Sequence, residues 1–88
     1  AFEAEGNYVR IVDGESTHLI RESLRALEER LDPERFLRIH RSTIVRIDRI
    51  IQLEPLFQGE YRVTLRGGRQ VRSSRRHRAR LHEVLGIE

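Results

Sequence analysis

The chain contains no cysteine, no methionine, no tryptophan and no lysine. Without cysteine it can form neither a disulfide nor a thiolate metal site. It lacks the run of roughly 20 apolar residues that a membrane-spanning helix requires, and it shows no signal-peptide pattern. We therefore expect a cytoplasmic protein that makes no contact with a membrane. Because the chain begins with Ala1 and not with methionine, we also expect it to be part of a longer protein.

The chain is short, highly charged and unevenly charged. Its 88 residues, 38% hydrophobic and 35% charged, indicate one small globular domain with a thin core. Residues 1–35 carry five arginines and nine acidic residues (net −4), whereas residues 36–82 carry twelve arginines and three acidic residues (net +9). This asymmetry indicates an anionic partner, with nucleic acid favoured over a membrane surface.

Short alternating segments predict a β-rich domain. Apolar and polar residues alternate over residues 8–13 and 61–65, as they do in half-buried strands. Glycine-containing turns at residues 13–14 and 66–68 predict hairpins. Further strands are predicted over residues 16–20, 36–40, 50–56 and 69–73. The polar residues 5–8 are expected to precede and enter the first strand.

Two segments have helical patterns. Leucines at positions 24, 27 and 31 form one apolar stripe behind Ser23, a suitable N-cap, and Pro33 ends this helix. Residues 74–85 predict a second helix, with Gly86 as its C-terminal cap. The predicted fold class is therefore mainly β (α+β), with one short central helix and one C-terminal helix.

The sequence gives little support for catalysis. The histidines at positions 18, 40, 77 and 82 do not have the spacing of metal ligands, and no glycine-rich phosphate loop is present. Ser73 and Ser74 lie near His77, but such local spacing is common by chance, and catalytic triads are defined by geometry. We expect no catalytic residue, no metal, no cofactor and no enzymatic activity.

Two arginine-rich clusters could contact an anionic partner. In the first, RIHRS at residues 38–42, strand alternation places Arg38 and His40 opposite Ile39, and the strand gives way to a loop at His40 and Arg41. The second has six arginines within residues 69–80, which repel one another unless an anion lies nearby. The alternative for the first cluster is a solvated strand edge with a structural histidine. The alternative for the second cluster is a solvated basic helix.

Three blocks of sequence resemble the LytTR family of bacterial DNA-binding domains. FLRIHRSTIV at residues 36–45 is similar to the family's F-x-R-x-H-R-S-x-I-V signature. EAEGNYV at residues 3–9 is similar to its E-A-x-x-N-Y-V opening, and residues 59–81 resemble its closing hairpin and S-R-R helix start. The resemblance covers nearly the whole chain.

The resemblance implies an elongated domain of packed β-sheets that reads DNA from loops in the major groove. Two copies would bind direct repeats, as the output domain of a response regulator of transcription, behind a receiver or sensor domain. The base-reading residues that it implies are Asn7, His40, Arg41, Arg75 and Arg76. The phosphate-binding residues that the resemblance and the charge pattern suggest are Gly6, Arg38, Ser42, Arg72, Ser74, Arg78 and Arg80.

The chain departs from the family pattern at two places. Arg46 stands where the family often has asparagine after the I-V pair, so the role of that position is open. The family domain also usually begins with one or two further strands, and we expect that this chain, as a single domain over residues 1–88, lacks them. An exposed strand edge would then invite pairing with another chain.

Two other functions are compatible with the basic composition. An RNA-binding module would need aromatic side chains on which bases stack, and only five aromatic residues are present, of which Phe36 and Tyr61 have core-like positions. A basic module that binds an acidic partner or a membrane surface would depend on salt as DNA binding does, but it would lack a large preference for one duplex over random duplex.

Overall fold

The computed structural model describes residues 1–87, in which eight strands alternate with short helices. The strands are β1 (Phe2–Glu5), β2 (Tyr8–Asp13), β3 (Ser16–Ile20), β4 (Phe36–His40), β5 (Thr43–Arg46), β6 (Ile50–Pro55), β7 (Tyr61–Leu65) and β8 (Gln70–Ser73). The α-helices are α1 (Leu24–Arg30) and α2 (Arg78–Leu85), and single 3₁₀ turns cover Ile47–Arg49, Phe57–Gly59 and Arg75–His77.

The strands form two antiparallel sheets. The larger sheet has the order β3-β2-β1-β5-β4 and the smaller one has the order β6-β7-β8. The molecule is elongated, with extents of 36 × 25 × 24 Å. The predicted mainly β fold with a central and a C-terminal helix is confirmed. None of the helices within residues 1–87 is long and apolar enough to cross a membrane.

Strand β1 was not predicted. The sequence interpretation took residues 5–8 as the polar approach to the first strand, but Glu5 pairs with Tyr8 across a two-residue turn. Gly6, at φ +60°, occupies a conformation that residues with a Cβ adopt rarely. The prediction was wrong because β1 is only four residues long, with a half-buried start and an exposed end, so it shows no clear alternation.

The main core lies between the two sheets and under α2. Strands β4 and β7 alternate strictly between buried and half-buried residues, as strands with one covered face do. The buried members of this core are Leu37, Ile39, Val45, Tyr61, Val63, Leu65 and Leu81. Leu81 is fully buried and comes from α2, so the helix is part of the core.

A second core lies beneath α1. Leu24 and Leu27 pack with Val9 and Ile44 of the larger sheet, which confirms the predicted leucine stripe. The Ser23 Oγ accepts a hydrogen bond from the Ala26 amide at 3.1 Å, as an N-cap does. This cap fixes where the helix begins. Through its packed leucines, α1 covers the face of the larger sheet beside the β4–β5 turn.

Helix α2 is held by a side-chain contact to β7 and by its C-terminal cap. The Tyr61 hydroxyl hydrogen-bonds the His82 Nε2 at 2.6 Å, and the two rings pack with centroids 5.5 Å apart. Gly86 has φ +69°, and the Ile87 amide donates to the His82 carbonyl at 2.8 Å, which closes the helix. The predicted glycine cap is confirmed, and the Tyr61–His82 contact ties α2 to the smaller sheet.

Candidate nucleic-acid interface

Three turns that are distant in sequence meet at one end of the molecule. The Ala4 amide donates to the Ser42 carbonyl at 2.8 Å, which places the β1–β2 turn beside the β4–β5 turn. The Ser74 amide donates to the Ile39 carbonyl at 2.8 Å, which joins the end of β4 to the segment between β8 and α2. We call this end, formed by residues 6–7, 40–42 and 74–77, the loop surface. It unites every residue that was expected to read bases.

The β4–β5 turn is shaped by one guanidinium group. Arg38 Nε donates to the His40 carbonyl at 2.8 Å and Nη2 donates to the Arg41 carbonyl at 2.5 Å. Nη1 forms an ion pair with Glu28 of α1 at 2.9 Å, and the side chain is only 19% exposed. Strand alternation placed Arg38 opposite Ile39 correctly, but its hydrogen bonds are directed into the protein.

Histidine 40 has its ring oriented by the same turn. The Ser42 amide donates to the His40 Nδ1 at 3.1 Å, and the Ser42 Oγ lies 2.8 Å from that nitrogen. Because Nδ1 accepts a hydrogen bond from an amide, the proton of the neutral ring lies on Nε2. Nε2–H is therefore the donor that His40 has left for another partner, and Arg41 is the exposed tip of the turn.

The end of β8 and the segment that follows it place two serines in different surroundings. Ser73 is fully buried, and its Oγ accepts a hydrogen bond from the Tyr61 amide at 3.1 Å, which accounts for it as a structural residue. The Ser74 Oγ lies 2.6 Å from the His77 Nδ1 and spans the 3₁₀ turn between them. Arg75 and Arg76 lie within that turn and are exposed.

The arginines of this end fall into two groups by their acidic partners. Arg38 pairs with Glu28, Arg72 lies 3.6 Å from Glu60, and Arg80 lies 3.0 Å from Glu83. The second group forms no ion pair within residues 1–87, and its members are Arg41, Arg75, Arg76 and Arg78. The second group includes all three arginines that were expected to read bases, and it gives the loop surface an uncompensated positive charge.

The loop surface includes one histidine with a perturbed pKa. Partial burial lowers the pKa of His77 below its ordinary value, and the positive charges of Arg38 and Arg76, together with the neighbouring His40, lower it further, against a smaller opposing effect of Glu28. Protonated His77 would add a like charge to a surface that already has several. His77 is therefore a neutral partner of Ser74 at pH 7.

This pKa predicts a pH dependence of stability. The unfolded chain has a histidine pKa of about 6.5, and the folded value lies below it, so on acidification the unfolded state binds the proton first. We expect the free energy of unfolding of the free domain to fall as the pH drops below about 6.5. His77→Gln should show a smaller fall between pH 7.5 and 5.5 in urea denaturation. Identical pH profiles for the two proteins would contradict this assignment.

Sequence analysis missed the role of one acidic residue, Glu28. It lies on α1, ten positions before Arg38, and no local pattern connects the two. Among residues 1–87, no group of three or more histidine and acidic side chains could hold a metal ion. The chemistry of this end therefore consists of hydrogen-bond donors and positive charge.

Comparison with known proteins identifies the family. The family model described as the LytTr DNA-binding domain matches residues 1–86. A solved LytTr DNA-binding domain from Bacillus cereus superposes with a TM-score of 0.89 at 26% identity, over 98% of this chain and 79% of that one. The chain therefore belongs to the LytTr DNA-binding domain family.

Curated relatives are sensory and regulatory proteins. The chain is 32% identical over 87 residues to the sensory transduction protein LytT of Bacillus anthracis, covering 91% of this chain and 35% of that protein. It is 37% identical to a heme-containing CO-sensing transcriptional regulator of Paraburkholderia xenovorans, covering 98% and 33%. It is 35% identical to the positive alginate biosynthesis regulatory protein of Pseudomonas aeruginosa, covering 96% and 34%. The chain spans about a third of the length of these relatives.

Proposed function

We propose that this chain is the DNA-binding output domain of a bacterial transcription regulator and that it reads double-stranded DNA through the loop surface. The three turns enter the major groove, whose base edges distinguish all four base pairs. Arg41 and Arg76 contact guanine O6 and N7, because a guanidinium fits that edge bidentately. Asn7, His40 and Arg75 read neighbouring bases.

One observation carries this proposal. Three turns far apart in sequence meet at one end, where Arg41, Arg75 and Arg76 have no acidic partner within residues 1–87. Arginines crowded in this way repel one another in the free protein, and phosphates and base acceptors relieve that repulsion. The residues that contact phosphates, and so position the protein without reading bases, are Gly6 through its backbone and the side chains of Ser42, Arg72, Ser74, Arg78 and Arg80.

The contacts of Arg38 favour a role other than the phosphate contact that was expected from the sequence. All three of its nitrogens are engaged inside the protein, two of them by the carbonyls of His40 and Arg41. A guanidinium used in this way holds the turn in one conformation, so that His40 and Arg41 are already placed when DNA arrives. In our proposal Arg38 is a positioning residue.

The role of Arg38 is tested with a variant that keeps the net charge, Glu28→Gln/Arg38→Met. We expect it to lose about tenfold or more in affinity for a preferred duplex, because a turn that is no longer held must be ordered on binding. Its affinity for random duplex and its salt slope should stay close to those of the wild type. Arg78→Met, which removes a proposed phosphate contact, should instead weaken both duplexes and reduce the salt slope by about one. If Glu28→Gln/Arg38→Met also weakened both duplexes and reduced the salt slope, Arg38 would be a phosphate contact.

The wider regulator is also part of the proposal. Two copies of the domain bind direct repeats, and a receiver or sensor domain in the same polypeptide controls their access to DNA in the bacterial cytoplasm. The lengths of the relatives support this arrangement, since the chain covers only 35% of LytT from Bacillus anthracis.

The RNA-binding alternative is less well supported by the side chains available. Sequence-specific recognition of single-stranded RNA relies on exposed aromatic platforms. Phe2 and Phe36 pack against each other with centroids 5.7 Å apart, and Tyr61 is buried. Only Tyr8 and Phe57 remain exposed, and within residues 1–87 their two rings do not pack against each other.

The proposed function is tested by selection from a randomised duplex library at physiological salt. We expect enrichment of a short direct repeat, with an affinity at least about a thousandfold above that for random duplex. Retention of duplexes without enrichment would identify a general polyanion binder. Tighter retention of single strands than of duplex would favour the RNA-binding alternative.

A further inference from the structure

The loop between β6 and β7 exposes a single aromatic ring. Phe57 is 84% exposed, more than any other large apolar side chain within residues 1–87. An isolated exposed apolar residue is common on protein surfaces and by itself indicates nothing. The position of this one is what gives it meaning.

Phe57 lies at the same end of the smaller sheet as the proposed reading turns. Pro55 pairs with Tyr61, and Tyr61 pairs with Ser73, so the β6–β7 loop and the segment after β8 leave the sheet side by side. A Cβ built on Gly59 would stand 3.1 Å from Arg75 Cγ and 3.5 Å from Arg78 Cδ. The loop therefore packs directly against two arginines that form no ion pair within the described residues 1–87.

The backbone of the loop that carries Phe57 forms a closed turn. The Leu56 amide donates to the Glu60 carbonyl at 2.8 Å and closes the loop. Gln58 has φ 61° and ψ 34°, a left-handed conformation that is unfavourable for a residue with a Cβ. Such conformations persist where the surrounding structure requires them, and they are concentrated at functional sites.

We propose that Phe57 is an additional DNA-contacting residue, whose ring packs on the C5 methyl group of a thymine in the major groove. This inference rests on the proposed function, because the groove that receives Phe57 is the one that Arg75 and Arg76 read. Phenylalanine forms no hydrogen bond with phosphate, but apolar contact with the thymine methyl is an established mode of base readout. DNA is favoured over a second copy of the domain, since the flanking Arg75 and Arg78 attract phosphates and would repel the same surface of another copy.

The test combines a protein change with a DNA change, both measured on the duplex enriched from the randomised library. We expect Phe57→Ala to lower affinity for that duplex about three- to tenfold. Each thymine is then replaced singly by deoxyuridine, which removes only the methyl group. The wild-type domain should lose a similar factor at one thymine next to the bases read by Arg75 and Arg76. Phe57→Ala should be insensitive at that thymine.

Two controls separate this contact from other effects. Leu19→Ala removes a 58% exposed side chain from β3 and should leave affinity unchanged. Phe57→Ala should have the melting temperature of the wild type, because the ring buries little surface.

Four outcomes would overturn the inference. If Phe57→Ala remains as sensitive as the wild type to every deoxyuridine, Phe57 does not contact a thymine methyl. A loss confined to occupancy of the second repeat, with single-site affinity intact, would assign Phe57 to a contact between copies. If the wild-type domain enriches no sequence at all, the proposed function fails before any variant is made; if it enriches one and Phe57→Ala binds it normally, only this inference fails.

Discussion

Replacing Arg76 with alanine is expected to weaken binding to the selected duplex by about 1–3 kcal/mol, roughly 5- to 150-fold, and to abolish the preference for guanine at one position. Arg76 is exposed in the 3₁₀ turn after β8 and forms no ion pair within residues 1–87. Its loss removes the bidentate hydrogen bond to guanine that we propose, without changing the core. The measurement is a titration of the variant against duplexes that differ at single base pairs.

The matched control for this prediction is Arg66→Ala. Arg66 is also exposed, but it lies in the β7–β8 turn, at the end of the smaller sheet opposite to Ser74. It removes the same charge, so it should weaken all duplexes slightly and equally. If Arg76→Ala produced that same uniform loss, Arg76 would be a phosphate contact and its assignment as a base reader would be wrong.

Replacing Leu81 with alanine is expected to lower the free energy of unfolding by about 2–5 kcal/mol. Leu81 is fully buried in the main core, and it is the one buried residue of α2. In a domain of this size that loss is a large part of the total stability. The 3₁₀ turn with Arg75 and Arg76 directly precedes α2, so DNA affinity should fall as well.

Urea denaturation and DNA titration of the same Leu81→Ala preparation measure both consequences. Val84→Ala is the control, because Val84 is only half-buried at the margin of the same core and should cost about 1 kcal/mol or less. A loss below about 1 kcal/mol for Leu81→Ala would contradict the docking of α2 described above.

The local elements could largely be predicted from the sequence, whereas the sheet order could not. Alternation in β2 and β7 and the leucine stripe of α1 are local signals, and each corresponds to an element of the structure. The pairing of β1 with β5 joins residues about 40 positions apart, and nothing in either strand specifies its partner. The short β1 was not predicted for the same reason, because it is defined as a strand by its pairing with other strands.

The site was indicated by charge and by the family resemblance, but its internal contacts were not. The arginine-rich segments pointed to the turns at residues 40–42 and 74–77. The hydrogen bonds from Ala4 to Ser42 and from Ser74 to Ile39, which assemble the loop surface, depend on the tertiary fold. The Arg38–Glu28 pair depends on how α1 packs beside β4, and no local pattern of residues separates Arg38 from the other arginines.

The central claim is that arginines of the loop surface read guanines in the major groove, and methylation interference at guanine N7 tests it most directly. N7 lies in the major groove and accepts the arginine hydrogen bond, so a methyl group there removes that acceptor. We predict strong interference at specific guanines of the selected duplex, and loss of interference at one of them in Arg76→Ala. Wild-type binding that is insensitive to methylation at every guanine would contradict major-groove reading by these arginines.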